Sequence, residues 1–333
     1  MNIVIPMAGR GSRLRPHTLT VPKPLIPIAG KPIVQRLAEK LINMCTQKIE
    51  NIGFIIGDFG AETEKELLQI ADTLGAKGHI FYQDKPLGTA HAILCAKPLL
   101  SGNTLVAFAD TLFDAEYKFD VEQDGVIIVQ QVEDPSAFGV VQLDENGYIN
   151  NFVEKPDTFI SDLAIIGIYY FKDGAYLSNE LQYLLDNDIK DKGEYQLTNA
   201  LENMKQKGAK FATGKVSEWL DCGNKNATVY TNQRILELLN TQENLIAEVT
   251  SNNTVIIKPC FIAENVKITN SVVGPHVSIG ANTEIENSII NNTIIQSNTH
   301  IKNKILENSM LGNNVIATGA VEELSIGDYS NVS

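Results

Sequence analysis

A chain of 333 residues is too long for one ordinary hydrophobic core, since single cores stop growing near ~250–300 residues, and it predicts two domains. Hydrophobic residues make up 44% and charged residues 20%, which excludes the low-hydrophobicity, high-charge composition of disorder. A net charge of -13 argues against a broad nucleic-acid or anionic-membrane surface, because such partners need a positive field.

The four cysteines, Cys45, Cys95, Cys222 and Cys260, are scattered with no C-x-x-C pair, fitting neither a disulfide framework nor a common zinc pattern and suggesting a reducing compartment. The start carries no basic leader, and no stretch approaches ~18 consecutive apolar residues. The expectation is a cytoplasmic protein with neither a membrane nor a nucleic-acid partner.

In chain order, short apolar runs alternate with helical patterns up to about residue 223. Strands are expected over 3–6, 52–56, 79–82 and 105–108, with helices over 32–46, 62–74 and 89–96 between them. This alternation predicts a doubly wound α/β sheet of Rossmann type, whose ligands sit at the carboxyl ends of the strands. Runs over 126–132, 139–143 and 149–153, with turn residues at 144–147, predict that the sheet becomes mixed, with an antiparallel part. The end of a last helix is expected over 233–239, followed by a polar link over 240–253.

Beyond a texture change near 245, Ile262, Ile268, Val273, Ile279, Ile285, Ile290, Ile295, Ile301, Leu306 and Leu311 recur every five or six residues. That period is too long for strand alternation and wrong for a helix. It suits a parallel β-helix in which each short strand points one aliphatic side chain inward before an Asn- or Gly-rich corner. The expected domains are 1–240 and 250–325, the second holding about three coils.

The loop after the first strand concentrates positive charge in an acidic protein. Arg10, Arg13, Arg15, Lys23, Lys31 and Arg36 all precede the first acidic residue, Glu39. Gly9 and Gly11 let backbone N–H groups approach a phosphate without Cβ interference, and Lys23 is held between Pro22 and Pro24. An anion belongs there. The glycine pattern matches neither the dinucleotide fingerprint, which wants a glycine where Leu14 stands, nor a P-loop, which wants Gly-Lys-Ser/Thr.

Taken together, Gly9-Arg-Gly-Ser-Arg13-Leu-Arg-Pro16, Pro22-Lys-Pro-Leu25 and Pro27-Ile-Ala-Gly-Lys-Pro32 resemble the signature of the sugar-1-phosphate nucleotidylyltransferases. The resemblance continues in order through Gln83-x-x-Pro86-Leu-Gly88-Thr-Ala90, Ala109-Asp110, Phe138-Gly-Val-Val141, Glu154-Lys-Pro156, Gly193-Glu-Tyr-Gln-Leu-Thr198 and Trp219-Leu-Asp-x-Gly223, covering roughly 1–235. The hexad tail resembles the left-handed β-helix that many members append. Three positions depart from the pattern: Ala8 stands where a glycine is usual, Ser12 where threonine is common, and Asn224 where threonine often follows the glycine.

The resemblance implies transfer of a nucleotidyl group from a nucleoside triphosphate to a sugar 1-phosphate, with glucose 1-phosphate and dTTP or UTP as the expected pair. It implies that Arg13, Lys23, Asp110 and Lys155 act in catalysis, and that Ala8, Gly9, Gly11, Ser12, Arg13, Lys23, Gln83 and Gly88 bind the nucleotide. Gly139, Glu154, Lys155 and Glu194 would hold the sugar phosphate. Asp110 and Asp221 would chelate Mg²⁺, a hard cation suited to carboxylates. Thr198 is read as structural, and Trp219, Tyr169 and Tyr170 as core or pocket wall. His17, His79, His91, His276 and His300 show no metal-ligand spacing. Two alternatives stand beside this reading: a silent nucleotide-sugar-binding subunit, and a bifunctional enzyme whose coil histidine, His276, serves acetyl transfer. The flat, open-ended β-helix predicts a homo-oligomer.

Overall fold

The computed structural model of the chain describes residues 1–9, 11–240 and 245–320. By its internal contacts the chain divides into one unit of Met1–Ile26 with Pro32–Gly223 and a second of Pro27–Lys31 with Asn224–Ser333. This division falls ahead of the change in sequence texture near 245. Among the described residues no helix is long and apolar enough to cross a membrane.

The first unit is built on a nine-stranded sheet. β1 (Asn2–Pro6) is buried throughout, so its backbone polar groups must be paired inside the protein. After it the chain makes two-residue strands β2 (Pro27–Ile28) and β3 (Lys31–Pro32), then α1 (Ile33–Met44). Ile33, Val34, Leu37, Ala38, Leu41 and Met44 form the buried face of α1, a spacing of three and four that fits one helix stripe. Pro32 stays extended at the cap.

The chain continues through β4 (Asn51–Ile56), α2 (Ala61–Thr73), β5 (Lys77–Tyr82), α3 (Thr89–Cys95) and β6 (Thr104–Ala107). β1 pairs in parallel with β4 on one side and β6 on the other, and β4 pairs in parallel with β5. The chain therefore winds outward from β1 in one direction and returns to start in the other. That reversal opens a crevice at the carboxyl ends of β1 and β6, the place where open α/β sheets bind ligands.

β7 (Thr111–Asp114) leaves the sheet, while β8 (Gly125–Gln131), β9 (Gly139–Leu143), β10 (Ile149–Glu154) and β11 (Leu163–Phe171) extend it. β11 runs antiparallel to β6, β8 and β9, making the sheet mixed. The strand pattern read from the sequence stops at β10 and lacks β11, whose nearly continuous apolar run carries no alternation because it is buried on both faces. Its register slips between Ile165 and Tyr169, around Gly167 with φ 85°, the geometry of a bulge. α4 (Gly174–Asp186), α5 (Leu197–Gln206), β12 (Phe211–Lys215) and β13 (Glu218–Asp221) complete the unit.

The second unit contains α6 (Lys225–Leu239), whose first turn is capped by the Asn224 side chain accepting from Ala227 N, and a left-handed parallel β-helix. Three sheets of five, four and four short parallel strands form its walls. This is four coils rather than the expected three, because coils already begin at Thr250 and run to Thr318. Ile262, Ile268, Val273, Ile279, Ile285, Ile290, Ile295 and Ile301 fill the interior, with Leu306 and Leu311 packed against them at the last coil. Asn265, Asn270, Asn282, Asn287, Asn298 and Asn303 occupy corners with φ between 48° and 58°, a conformation Asn tolerates better than most residues. Their amides stack as ladders: Asn253 donates to Asn270 at 2.9 Å, Asn270 to Asn287 at 3.2 Å and Asn287 to Asn303 at 3.1 Å.

Candidate active site

β1 delivers the chain into the crevice. Ile3, Val4 and Ile5 are fully buried, Met7 N still bonds Ile55 O at 2.8 Å, and then Ala8 and Gly9 emerge. Arg10 lies outside the described residues. Gly11 is left-handed at φ 59°, and a Cβ there would fall 2.8 Å from Lys23 Cβ, so glycine is what lets the loop close on the lysine. Thr18 Oγ1 donates to Gly11 O at 2.8 Å, and Leu14 is buried beneath. A Cβ at Gly9 would meet nothing within 4 Å, leaving that backbone open to a ligand.

Lys23 is only 8% exposed, yet its ammonium stands 3.5 Å from Asp110 Oδ2, whose carboxylate is half open to solvent. A cation whose stem is packed in protein keeps its position at little further entropic cost when an anion arrives. Asp110 follows β6, with Ala109 N donating to Pro6 O at 3.4 Å. Asp221 ends β13 opposite Thr111 of β7, and Cys222 N donates to Asp110 O at 3.1 Å. The Asp221 carboxylate accepts from Gly223 N at 2.8 Å, and a Cβ at Gly223 would fall 2.9 Å from both its oxygens.

Two adjoining cavities share Arg13, Thr89, Phe108 and Asp110. The first, of about 410 Å³, is lined by the glycine loop with Ala8, Gly9, Gly11, Ser12 and Arg13, and by Lys23, Gln83, Gly88, Asp110 and Glu194. It brings together every residue expected to hold the nucleotide. Gln83 Nε2 meets Gly88 O and His91 Nδ1, each at 3.2 Å. Burial lowers the His91 pKa, which favours the neutral ring whose Nδ1 can accept. With both amide hydrogens used, Gln83 Oε1 is left as an acceptor. Gly88 has φ 115°, and a Cβ would sit 2.5 Å from Tyr195 O.

The second cavity, of about 490 Å³, is lined by Gly139, Glu154, Asp221 and Thr198 with the rings of Phe138, Tyr169 and Trp219. The Glu154 pKa is raised, first by burial, while Lys155 and the Thr198 hydroxyl, donating to Oε2 at 3.3 Å, pull the other way. A Cβ at Gly139 would lie 3.1 Å from the same Oε2. Trp219 packs edge-on against Phe138, ring centres 4.9 Å apart; Tyr170 is instead fully buried in the core.

Two of the residues expected to hold the sugar phosphate do not line the second cavity. Glu194 lines the first cavity, not the second, because its neighbour Tyr195 is hydrogen-bonded across to Leu87 and Ala90. Lys155 lines neither: its φ is 42°, its amide donates to Phe138 O, and its half-exposed ammonium lies 3.8 Å from Glu154 Oε1. Thr89 and Gln196 stand inside two of the motifs quoted above but carry no expected role. Thr89 Oγ1 donates to Gln196 Oε1 at 3.1 Å and accepts from Leu197 N at 2.9 Å, joining the walls of both cavities. Their signal in the sequence is membership of those motifs, Thr89 next to Gly88 and Gln196 two residues after Glu194.

An open mixed sheet with a cationic glycine loop at its strand-order reversal, facing paired carboxylates, defines an α/β protein of the nucleotide-handling class. The chain belongs to the nucleotidyl transferase family, whose model matches residues 3–237. It is 31% identical over 300 residues to a glucose-1-phosphate thymidylyltransferase of Streptomyces antibioticus, covering 87% of this chain and 81% of that one. It is 29% identical over 322 residues to a low-salt glycan biosynthesis nucleotidyltransferase of Haloferax volcanii, covering 89% and 87% respectively. A crystal structure of UDP-glucose pyrophosphorylase complexed with UDP-glucose superposes with a TM-score of 0.59 at 23% identity, over 71% of this chain and 98% of that one, a likeness of fold.

Proposed function

We propose that this protein joins a sugar 1-phosphate to a nucleoside triphosphate, giving a nucleotide sugar and pyrophosphate, with glucose 1-phosphate and dTTP or UTP as its substrates. The observation that carries the reading is the convergence of Arg13, Lys23 and Asp110 with the open backbone of Gly9 on one cavity, directly beside a second cavity holding Glu154. An attacking phosphate and a triphosphate need two adjoining sites and a positive field between them.

In this reading the sugar phosphate oxygen attacks the α-phosphorus in line and pyrophosphate leaves, with no covalent protein intermediate. Backbone N–H groups of Gly9 and Gly11 and the Lys23 ammonium bind the triphosphate. Arg13, exposed between the cavities, neutralises charge on the leaving pyrophosphate. Glu154 accepts from sugar hydroxyls, and Lys155 swings from its half-exposed position to the attacking phosphate. Gln83 Oε1 favours a base with an N–H donor, such as N3–H of thymine or uracil, over adenine or cytosine, which offer a lone pair there.

Among the described residues no cluster of three or more His, Cys, Asp or Glu side chains could hold a metal. Asp110 and Asp221, two acceptor-only groups on neighbouring strand ends, nevertheless fit Mg²⁺, which is usually held by one or two carboxylates together with substrate phosphates and waters. Bound there, the ion would supply charge neutralisation on the triphosphate. The test is pyrophosphate release from a panel of four triphosphates with several sugar 1-phosphates; no turnover with any pair in Mg²⁺ would end the proposal. In a cell this chemistry belongs in the cytoplasm, where nucleoside triphosphates are made.

A further inference from the structure

A glutamine is an ambiguous reader of a base edge. Its amide ends in an acceptor and a donor of nearly the same shape, and a half-turn about the last bond exchanges them. For Gln83 to favour one base over another, that half-turn must be opposed. Among the described residues two groups meet its Nε2: Gly88 O and His91 Nδ1, each at 3.2 Å. Gly88 precedes the first turn of α3 and His91 lies within that turn, so both come from one short element on the same side of the amide. The first is a backbone carbonyl, an acceptor in any state, which also takes the Ala92 N–H at 3.1 Å. It cannot withdraw from the amide, because its own residue is pressed against Tyr195 and Ala90 N donates to Tyr195 O at 2.9 Å just beyond it. The second is a side chain that lines neither cavity.

We infer that His91 is a positioning residue for base selection: its ring, protonated on Nε2 alone, accepts from the Gln83 amide and so keeps Oε1 as the atom offered to the base. This rests on the proposed reading of the first cavity as the nucleotide site. An Nδ1 that accepts obliges the single ring proton to sit on Nε2. Turning the amide would then set Oε1 against the lone pairs of Gly88 O and Nδ1 together and forfeit two hydrogen bonds at once. With Gly88 O alone only one would be lost. The consequence is a choice between two triphosphates of equal size. Uracil carries a donor at N3 and cytosine a lone pair there, so Oε1 accepts from the first and opposes the second. Once His91 no longer accepts, the amide is held by a single bond, and turned over it presents Nε2 to cytosine.

The experiment compares UTP with CTP on the full chain, by calorimetric binding in Mg²⁺ without sugar phosphate and by kcat/KM for pyrophosphate release with glucose 1-phosphate. The wild type should favour UTP. His91→Leu should lower the UTP-to-CTP ratio in both measurements roughly five- to tenfold, the scale of one net hydrogen bond, chiefly by admitting CTP. His91→Asn should restore the ratio, because Asn Oδ1 stands as many bonds from the backbone as His Nδ1 and offers an acceptor there. A purely structural role would give the opposite order, since leucine fills the space of the ring better than asparagine does. In a Gln83→Leu background, His91→Leu should change the ratio no further, as expected of a residue that acts only through the amide. An unchanged ratio in His91→Leu, no recovery in His91→Asn, or an equal further loss in the Gln83→Leu background would each overturn the role of His91 while leaving the proposed reaction in place. Selective binding with these mutant effects but no turnover with any sugar 1-phosphate would remove the reaction and keep the role. Binding of neither triphosphate would overturn both.

Discussion

Asp110 and Asp221, far apart in the chain, stand at neighbouring strand ends because Cys222 N donates to Asp110 O at 3.1 Å and Asp221 lies opposite Thr111 in the β7–β13 ladder. The four-residue ladder thus sets two residues distant in the first unit's sequence side by side at the backbone.

Asp110→Asn and Asp221→Asn should each lower turnover by a factor on the order of 10²–10³, the scale of losing one electrostatic contact to a transition state. Both side chains are exposed enough for the amide to be accommodated, so the thermal midpoint should hold. A variant retaining the wild-type rate at saturating Mg²⁺ removes that residue from the proposed metal pair.

Gly88→Ala puts a methyl group 2.5 Å from Tyr195 O at a backbone φ of 115°. The strain should destabilise the fold by about 1–3 kcal/mol and shift the segment carrying Glu194 and Gln196. Urea unfolding measures the first effect and the KM for the triphosphate the second; an unchanged midpoint would contradict the packing described.

Glu154 titrates above its ordinary value because of burial. A carboxyl whose folded pKa is raised favours folding while protonated, and that contribution is lost as pH rises from the unfolded value of 4.5 through the higher folded value. Glu154→Gln should therefore flatten the decline in stability as pH rises above 4.5, while raising the KM for the sugar phosphate. Parallel pH–stability curves for the two proteins would show that burial of this carboxyl has been overvalued.

Asn287 combines a left-handed φ of 48° with ladder bonds to Asn270 and Asn303. Asn287→Ala should cost about 1–2 kcal/mol, and Asn287→Gly less, because glycine relieves the backbone term and forfeits only the ladder. Equal losses in denaturant titrations would assign the whole effect to the side-chain bonds.

The β-helix interior was legible residue by residue because each coil obeys one local rule: an aliphatic side chain turns inward between two corners, and the next coil repeats it. The glycine loop and Lys23 were legible for a similar reason, since Gly11 meets Lys23 within one short segment. The number of coils was not, because the first coil's Thr250–Asn252 strand places Ser251 at the register position that Ile268 fills on the next coil.

What the sequence alone determined is the chemistry available: a cationic loop, acceptor carboxylates and a repeating aliphatic interior. Tertiary structure decided their arrangement. β11, central and apolar on both faces, had no period to betray it, yet its antiparallel pairing to β6, β8 and β9 builds the wall of the second cavity. The bonds of Tyr195 to Leu87 and Ala90 carry Glu194 into the first cavity, and Lys155, left-handed at φ 42°, lines neither while its ammonium lies 3.8 Å from Glu154 Oε1. Such placements follow from hydrogen bonds between segments distant in the chain, and local propensity carries no information about which distant partner a backbone group will find.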